Sequence, residues 1–419
     1  MTDVLVPHNR WDLLPDAPRP PVSVVITHYE QHEQLARVLA ALAEQTLGPY
    51  EVIVADDGSA AEPAVPQGVR LVRQDDLGFR AAAARNLGAS AAHGEALVFL
   101  DADTVPEPGF LEAVTRRVAA CPDVLAVGRR RHRDATGELP EPTWLADAYA
   151  ASRDLLDADG RSFRFVISAV LACRRSLFHD VGGFDERFVG YGGEDWDLAY
   201  RAWNAGAVLV HEPDAVAWHD GPDWAGRAGD RQRKDDESLR LAALVPEPHT
   251  RGAPLPAQLP DVLVDLDTYD VRAVHALLRQ DHRDLQVRAA SPHELHAAVV
   301  RTSPWTDDQL RRARVRLQLH EPVPLAPQVV SGCVRRLVDD DLGELVLHAA
   351  GRVVGTATST QTGWLRPAST ANGCALYLAP GAGALPVAGS RNGTSASGTR
   401  PGTSAEPSPP PGLPRRSST

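Results

Sequence analysis

Asp101-Ala102-Asp103 stands where an apolar run gives way to a turn, and two carboxylates at such an exit can share one divalent cation. Hard cations such as Mg2+ and Mn2+ prefer oxygen ligands, and diphosphate oxygens could complete the shell. The same residues also suit a solvated turn, because Asp is a good turn former. Polar residues close two further apolar runs, at Thr27-His28 and Asp56-Asp57. Glu194-Asp195 follows Gly192-Gly193 and opens a helical pattern, where acids are stabilised by the helix dipole. The dipole lowers the pKa of Asp195, whereas burial beside Glu194 raises it. The arginine-rich run 129–133 reads either as a solvated loop or as a diphosphate clamp.

The elements that must position these groups alternate. Apolar, β-branched runs at 22–27, 51–57, 69–74 and 96–103 predict buried strands. Helical spacing at 33–45 and an alanine-rich stretch at 79–92 predict the helices between them. Strand, helix, strand, strand, helix, strand implies an α/β fold with a mostly parallel sheet. Ligands bind such sheets beyond the carboxyl ends of the strands, where three of the polar clusters lie. Further on, 110–120 reads as helix, 165–175 as strand, 196–204 as helix ended by Gly206, and 207–213 as strand; the stretch before about 162 has no clear period. A charged amphipathic helix at 228–244 closes this part.

With 419 residues the chain is too long for one ordinary domain. The formal net charge is −12, with no sustained basic run, which argues against nucleic-acid binding. Cys121, Cys173, Cys333 and Cys374 show no metal-ligand spacing and read as reduced. Residues 1–20 lack a signal-peptide layout, and no apolar run approaches the ~18 residues of a bilayer span. The expectation is a cytoplasmic chain without a transmembrane segment, with room left for peripheral membrane contact.

In this order, VSVVITHYEQ, EVIVADDGS, AAAARNLGA and ALVFLDADTVPEPGFL resemble the family 2 glycosyltransferases of the GT-A fold. The segment from AVLACRRSLF through GGFDERFVGYGGEDWDLAYRAW to AVAWHD is similar to the acceptor-side region of galactosyltransferases, chondroitin-synthase-type polymerases and polypeptide GalNAc-transferases. The likeness covers roughly 22–220. It implies a Rossmann-like nucleotide-sugar-binding domain and a metal-dependent transfer, from a nucleotide-diphosphate sugar (UDP favoured) to a hydroxyl of a glycan or other acceptor. It implies that Thr27, His28 and Glu30 contact the nucleoside, that Asp56 and Asp57 read uracil and ribose, and that Arg85 and Asn86 line the nucleotide pocket. Asp101, Ala102 and Asp103 fall on the diphosphate site, with Asp101, Asp103 and His219 as ligands of Mn2+ or Mg2+. Asp195 matches the catalytic base and Glu194 an acceptor contact. Retaining relatives, the polypeptide GalNAc-transferases, typically carry Asn where Asp195 stands, so the resemblance favours inversion.

The expected organisation is a lead-in at 1–20, the GT-A domain at 21–245, a proline-rich linker at 246–260, a smaller accessory or vestigial α/β domain at 261–379, and a disordered low-complexity tail at 380–419. Strands are expected at 262–267, 285–290 and 344–350. Asp339-Asp340-Asp341 reads as a solvated turn rather than a second metal site. Two rival functions remain: a catalytically inactive carbohydrate-binding or scaffolding protein, and a sugar-nucleotide pyrophosphorylase or dehydrogenase. Neither G-x-G-x-x-G nor a basic glycine-rich loop supports the latter. The H-R-D triplets at 132 and 282 lack kinase companions, and HYEQH lacks the zincin glutamate.

Overall fold

The computed structural model describes residues 6, 8–221, 231–251, 259–339, 342–349, 351–360 and 374–378 of the 419. Strands β1 (Val22–His28), β2 (Glu51–Asp56), β3 (Val69–Arg73) and β4 (Ala96–Asp101) are parallel, in the spatial order β3-β2-β1-β4. Val24, Val25 and Ile26 of β1 and residues 97–100 of β4 are fully buried, as a strand covered on both faces requires. Leu35, Val38, Leu39 and Leu42 form the buried stripe of the His32–Ala43 helix. The Ala81–Ala91 helix lies so close to the sheet that a Cβ on Gly88 would sit 2.3 Å from Val25 Cγ1. Its run of small residues is what allows that approach.

The sheet continues with β5 (Thr104–Pro106), β6 (Val124–Asp134), β7 (Gly137–Leu139), β8 (Val170–Arg174) and β9 (Val208–Asp220). Beyond β4 the order is β8-β6-β9-β5, with β7 on β6. Here β8 runs antiparallel to both β4 and β6, and β6 runs parallel to β9, so the whole sheet is mixed. The stretch with no clear period contains β6, eleven residues long, and β9 extends well past its expected end to Asp220.

A second sheet holds β10 (Val262–Leu266), β11 (Leu285–Ala289), β12 (Val300–Arg301), β13 (Val315–Leu319), β14 (Glu344–Ala349), β15 (Arg352–Ser359) and β16 (Cys374–Leu378), in the order β12-β11-β10-β13-β15-β14-β16. It has its own apolar core around Val264, Leu317 and Leu347. Between the sheets, part of the proline-rich segment is packed structure: Pro248–Arg251 is helical, and buried Arg251 bonds to Leu259 O at 2.9 Å and to Asp284 at 2.6 Å. Residues 252–258, Asp340, Asp341 and the tail at 380–419 lie outside the described residues. Among the described residues no helix is long and apolar enough to cross a membrane.

Candidate active site

Strands β2, β1 and β4 end side by side, with Thr27 opposite both Ala55 and Asp101 and His28 opposite Asp56. The two aspartates after β2 divide their labour. Asp56 is fully buried and accepts from Ser59 N (3.1 Å) and Arg73 Nε (2.7 Å), while its Oδ1 lies 2.7 Å from His28 Nδ1. Burial lowers the pKa of His28 against the pull of Asp56, which favours the neutral ring. Asp57 lines the cavity above the strand ends, held by Arg80 N (2.7 Å) and Gln74 Nε2 (2.5 Å), and burial raises its pKa. Thr27 and His28 line the same cavity, and Thr27 Oγ1 and His28 Nε2 are buried without a hydrogen-bond partner among the described residues.

Asp101 and Asp103 face this cavity together with His219. Strand β5 brings them together: Thr104 pairs with His219 on β9, and His219 Nε2 comes within 3.5 Å of Asp103 Oδ2. Gln31 Nε2 donates to the same oxygen at 2.9 Å. Burial pushes the pKa of Asp103 up, yet His219, Gln31 and Arg130 outweigh it and hold it at about 2. Two carboxylates and an imidazole on one wall form a donor set that fits a Mn2+ or Mg2+ ion. As arranged here, the described residues form no preassembled group of three or more metal-ligating side chains, and Asp101 Oδ1 is engaged by Arg85 Nη2 at 2.9 Å.

Arg85 is buried and reaches the other way to Glu194 Oε1, at 2.8 Å. The second oxygen of Glu194 is buried without a partner among the described residues. Glu194 and Asp195 open the Glu194–Asn204 helix, and Gly193 caps it at φ 93°. A Cβ there would lie 2.7 Å from Phe188 Cε1, so both conformation and space call for glycine. Asp195 is half-buried; its oxygens accept from Trp196 N (2.9 Å) and Ser168 N (3.4 Å). Burial, reinforced by the charge of Glu194, outweighs Arg85 and these amides and raises its pKa to about 7.

Two adjoining cavities, of about 510 and 390 Å³, meet here. The first holds Asp57, Asp101, Asp103 and His219, and the second Glu194 and Asp195. Phe79, Arg85, Asp101, Arg130 and Tyr191 belong to both. Glu30, Asp56, Asn86 and Ala102 stand outside both linings. Glu30 takes Ala60 N at 2.5 Å, and Ala102 N bonds to Thr27 O at 3.0 Å. The Asn86 amide is spent on Phe184, donating to its carbonyl and accepting from its N–H, each at 2.9 Å. It thereby pins the Gly182-Gly183 turn, from which Phe184 packs inward against Phe99 and Phe178.

Gln31, Tyr191 and Trp144 are not singled out by the sequence, and Arg130 only as one member of the run weighed there as a loop or a diphosphate clamp. Arg130 lay in the 129–133 run, whose alternation on β6 sends Arg131 onto Trp218, 4.4 Å from the ring centre, and Arg129 onto Glu141. Alternation of an arginine run was the available signal.

The description "Glycosyl transferase family 2" matches residues 23–182, and "N-terminal domain of galactosyltransferase" matches residues 159–215. The chain is 28% identical over 316 residues to a chondroitin synthase of Escherichia coli, covering 64% of this chain and 46% of the relative. It is 34% identical over 229 residues to a pre-mycofactocin glycosyltransferase of Mycobacterium tuberculosis, covering 48% and 45%. It thus spans about half the length of these relatives. A solved structure of GalNAc-T7 with UDP, GalNAc and Mn2+ superimposes with TM-score 0.40 at 18% identity, over 56% of this chain and 52% of that one.

Proposed function

We propose that this chain, whose residues 23–182 belong to glycosyl transferase family 2, moves a sugar from a nucleotide-diphosphate donor, a UDP-sugar, to a hydroxyl of a glycan or other acceptor. The observation that carries this reading is the shared wall. Asp101 and Asp103 line one cavity, Glu194 and Asp195 the next, and Arg85 bonds to one carboxylate of each. A donor in the first cavity and an acceptor in the second would meet at that wall.

Transfer then proceeds by single displacement. The acceptor oxygen attacks the anomeric carbon as Asp195 takes its proton, and the bond to the diphosphate breaks with its electron pair leaving on the nucleotide. Attack from the face opposite the diphosphate inverts the anomeric configuration. A pKa near 7 suits a general base at neutral pH, because the proton-transfer driving force and the ionised fraction are then both appreciable. Asp101, Asp103 and His219 would hold Mn2+ or Mg2+, which supplies charge neutralisation at the leaving diphosphate. Asp57, Thr27 and His28 support the nucleoside end, with the orphaned Thr27 Oγ1 and His28 Nε2 as hydrogen-bonding groups. The buried thiols of Cys121, Cys173 and Cys333 accord with a reducing, cytoplasmic setting.

The test is a panel of nucleotide sugars scored by Mn2+-dependent thermal shift, followed by donor turnover with and without Mn2+. A UDP-sugar is expected to stabilise the protein and to be consumed in the presence of the metal. Stabilisation without turnover, with any acceptor, would favour a carbohydrate-binding protein. No response to any nucleotide sugar would end the proposal.

A further inference from the structure

The second sheet repeats seven of the first sheet's nine strands, all but β5 and β7, in the same spatial order. β10, β11, β12 and β13 take the places of β1, β2, β3 and β4, while β15, β14 and β16 take those of β8, β6 and β9. The senses agree as well: four parallel strands, two antiparallel junctions, then a parallel pair. Val22 faces Ala96 as Val262 faces Val315, and Ser23 faces Glu51 as Leu263 faces Gln286. Through that register, Asp101-Ala102-Asp103 corresponds to His320-Glu321-Pro322, and Asp56-Asp57 to Ser291-Pro292. The fold is duplicated while the chemical groups at the strand ends are replaced.

What the second unit presents to the first is an arginine. Arg312 ends the Asp307–Arg312 helix, which Thr306 and Gln309 cap reciprocally. Its side chain is 1% exposed and crosses to the Glu194–Asn204 helix, where Nη1 bonds to Asp197, two residues beyond Asp195. Nη2 bonds to Asp185 at 2.7 Å, Nη1 to Leu244 O at 3.0 Å and Nε to Asp308 at 2.6 Å. The Arg312 carbonyl accepts from Tyr200 Oη at 2.7 Å and from Asn204 Nδ2 at 3.3 Å. One residue of the second unit therefore touches the base-bearing helix at its first turn and again along its length.

We propose that the second unit is a duplicated copy of the first that now serves as a buttress, with Arg312 as a positioning residue for Asp195. This rests on the reading of Asp195 as the base. A buried charge with donors fixed in a planar fork holds direction as well as distance, which an ammonium cannot do. Small displacements of a reacting group cost large factors in rate.

The experiment uses Arg312→Lys and Tyr200→Phe in the full chain, with UDP titration counting binding-competent sites. Asp197 keeps Arg201 as a partner at 2.7 Å, which favours folding of the lysine variant. Turnover per UDP-binding site is expected to fall about 10- to 100-fold in Arg312→Lys, and less in Tyr200→Phe, with the UDP dissociation constant unchanged. A role in stability alone would reduce the number of sites and leave turnover per site intact, and that result in both variants overturns the proposal. Arg288→Gln, in the second sheet, should leave turnover per site at the wild-type value. Failure of the underlying reading is distinct, because Asp195→Asn would then keep the wild-type turnover per UDP-binding site, whatever the Arg312 and Tyr200 variants do.

Discussion

His219 Nε2 lies 3.5 Å from Asp103 Oδ2, a pairing set by the short antiparallel ladder of β5 and β9. On the proposed reading, an imidazole beside one carboxylate of a D-x-D pair would offer a divalent cation a nitrogen ligand. His219→Ala should raise the Mn2+ concentration for half-maximal transfer by about 10- to 100-fold, on the scale of lost metal-site groups. UDP binding without metal should change little, whereas Asp103→Ala should lose both donor binding and transfer. Mn2+ titrations of the transfer rate supply the check, and an unchanged midpoint in His219→Ala removes it from the metal site.

Asp195→Asn should lower transfer by about 10²- to 10⁴-fold, the usual worth of a general base, with UDP affinity preserved. In the wild type, transfer should rise with pH through about 7 as Asp195 ionises. The same shift has a stability consequence. Folding raises this carboxyl from 3.8, so the folded state favours the protonated form and becomes less stable relative to the unfolded chain as pH climbs from about 4 to 7. Asp195→Asn should therefore melt higher than wild type at pH 8 and level with it at pH 4. A wild-type transfer rate in the variant removes the assigned base.

The strand-end half of the candidate site is legible because buried parallel strands read as continuous apolar runs, and polar residues, acidic in two cases, mark where three of them end. Asp195 was legible through its motif. Its electrostatic setting was not, since Arg85 and Glu194 stand 109 residues apart and nothing local in either announces the other. Strand β6 hid for a related reason. Arg131 and Arg133 are satisfied by Trp218 and Asp220, partners that exist only after β6 and β9 have paired, and Arg129 by Glu141 just past the β6-β7 hairpin. Only three strands of the second sheet stand out in the sequence, because β12 has two residues, β13 and β15 carry mixed polarity, and the apolar β16 directly precedes the low-complexity segment. The likeness of the two sheets resides in strand order and register, which no stretch of either sequence displays.

Gly193→Ala should damage the site through the backbone. The residue sits at φ 93°, and the added methyl would meet the Phe188 ring at 2.7 Å. Strain of this kind costs on the order of 1–3 kcal/mol, which for a domain of this size means a melting point several degrees lower. Because Gly193 directly precedes Glu194 and Asp195, transfer should fall further than stability alone explains. Thermal melts paired with turnover per UDP-binding site separate the two effects, and an alanine variant with native melting and native turnover refutes the strain argument.

Arg85 lies buried between Asp101 and Glu194, which makes it the cation on which both carboxylates depend in the absence of metal. Removing one partner of a buried ion pair typically costs about 3–5 kcal/mol, because the charge left behind has lost its solvation and gained nothing. Arg85→Met should therefore melt well below wild type in chelator. Mn2+ restores a positive charge beside Asp101 but not beside Glu194, so the ion should recover part of the lost stability and stabilise the variant more than it stabilises wild type. Melting curves in EDTA and in Mn2+, for both proteins, read the difference directly. Equal metal-induced shifts would mean that Arg85 and the metal do not compete for Asp101, and would separate the arginine bridge from the donor site.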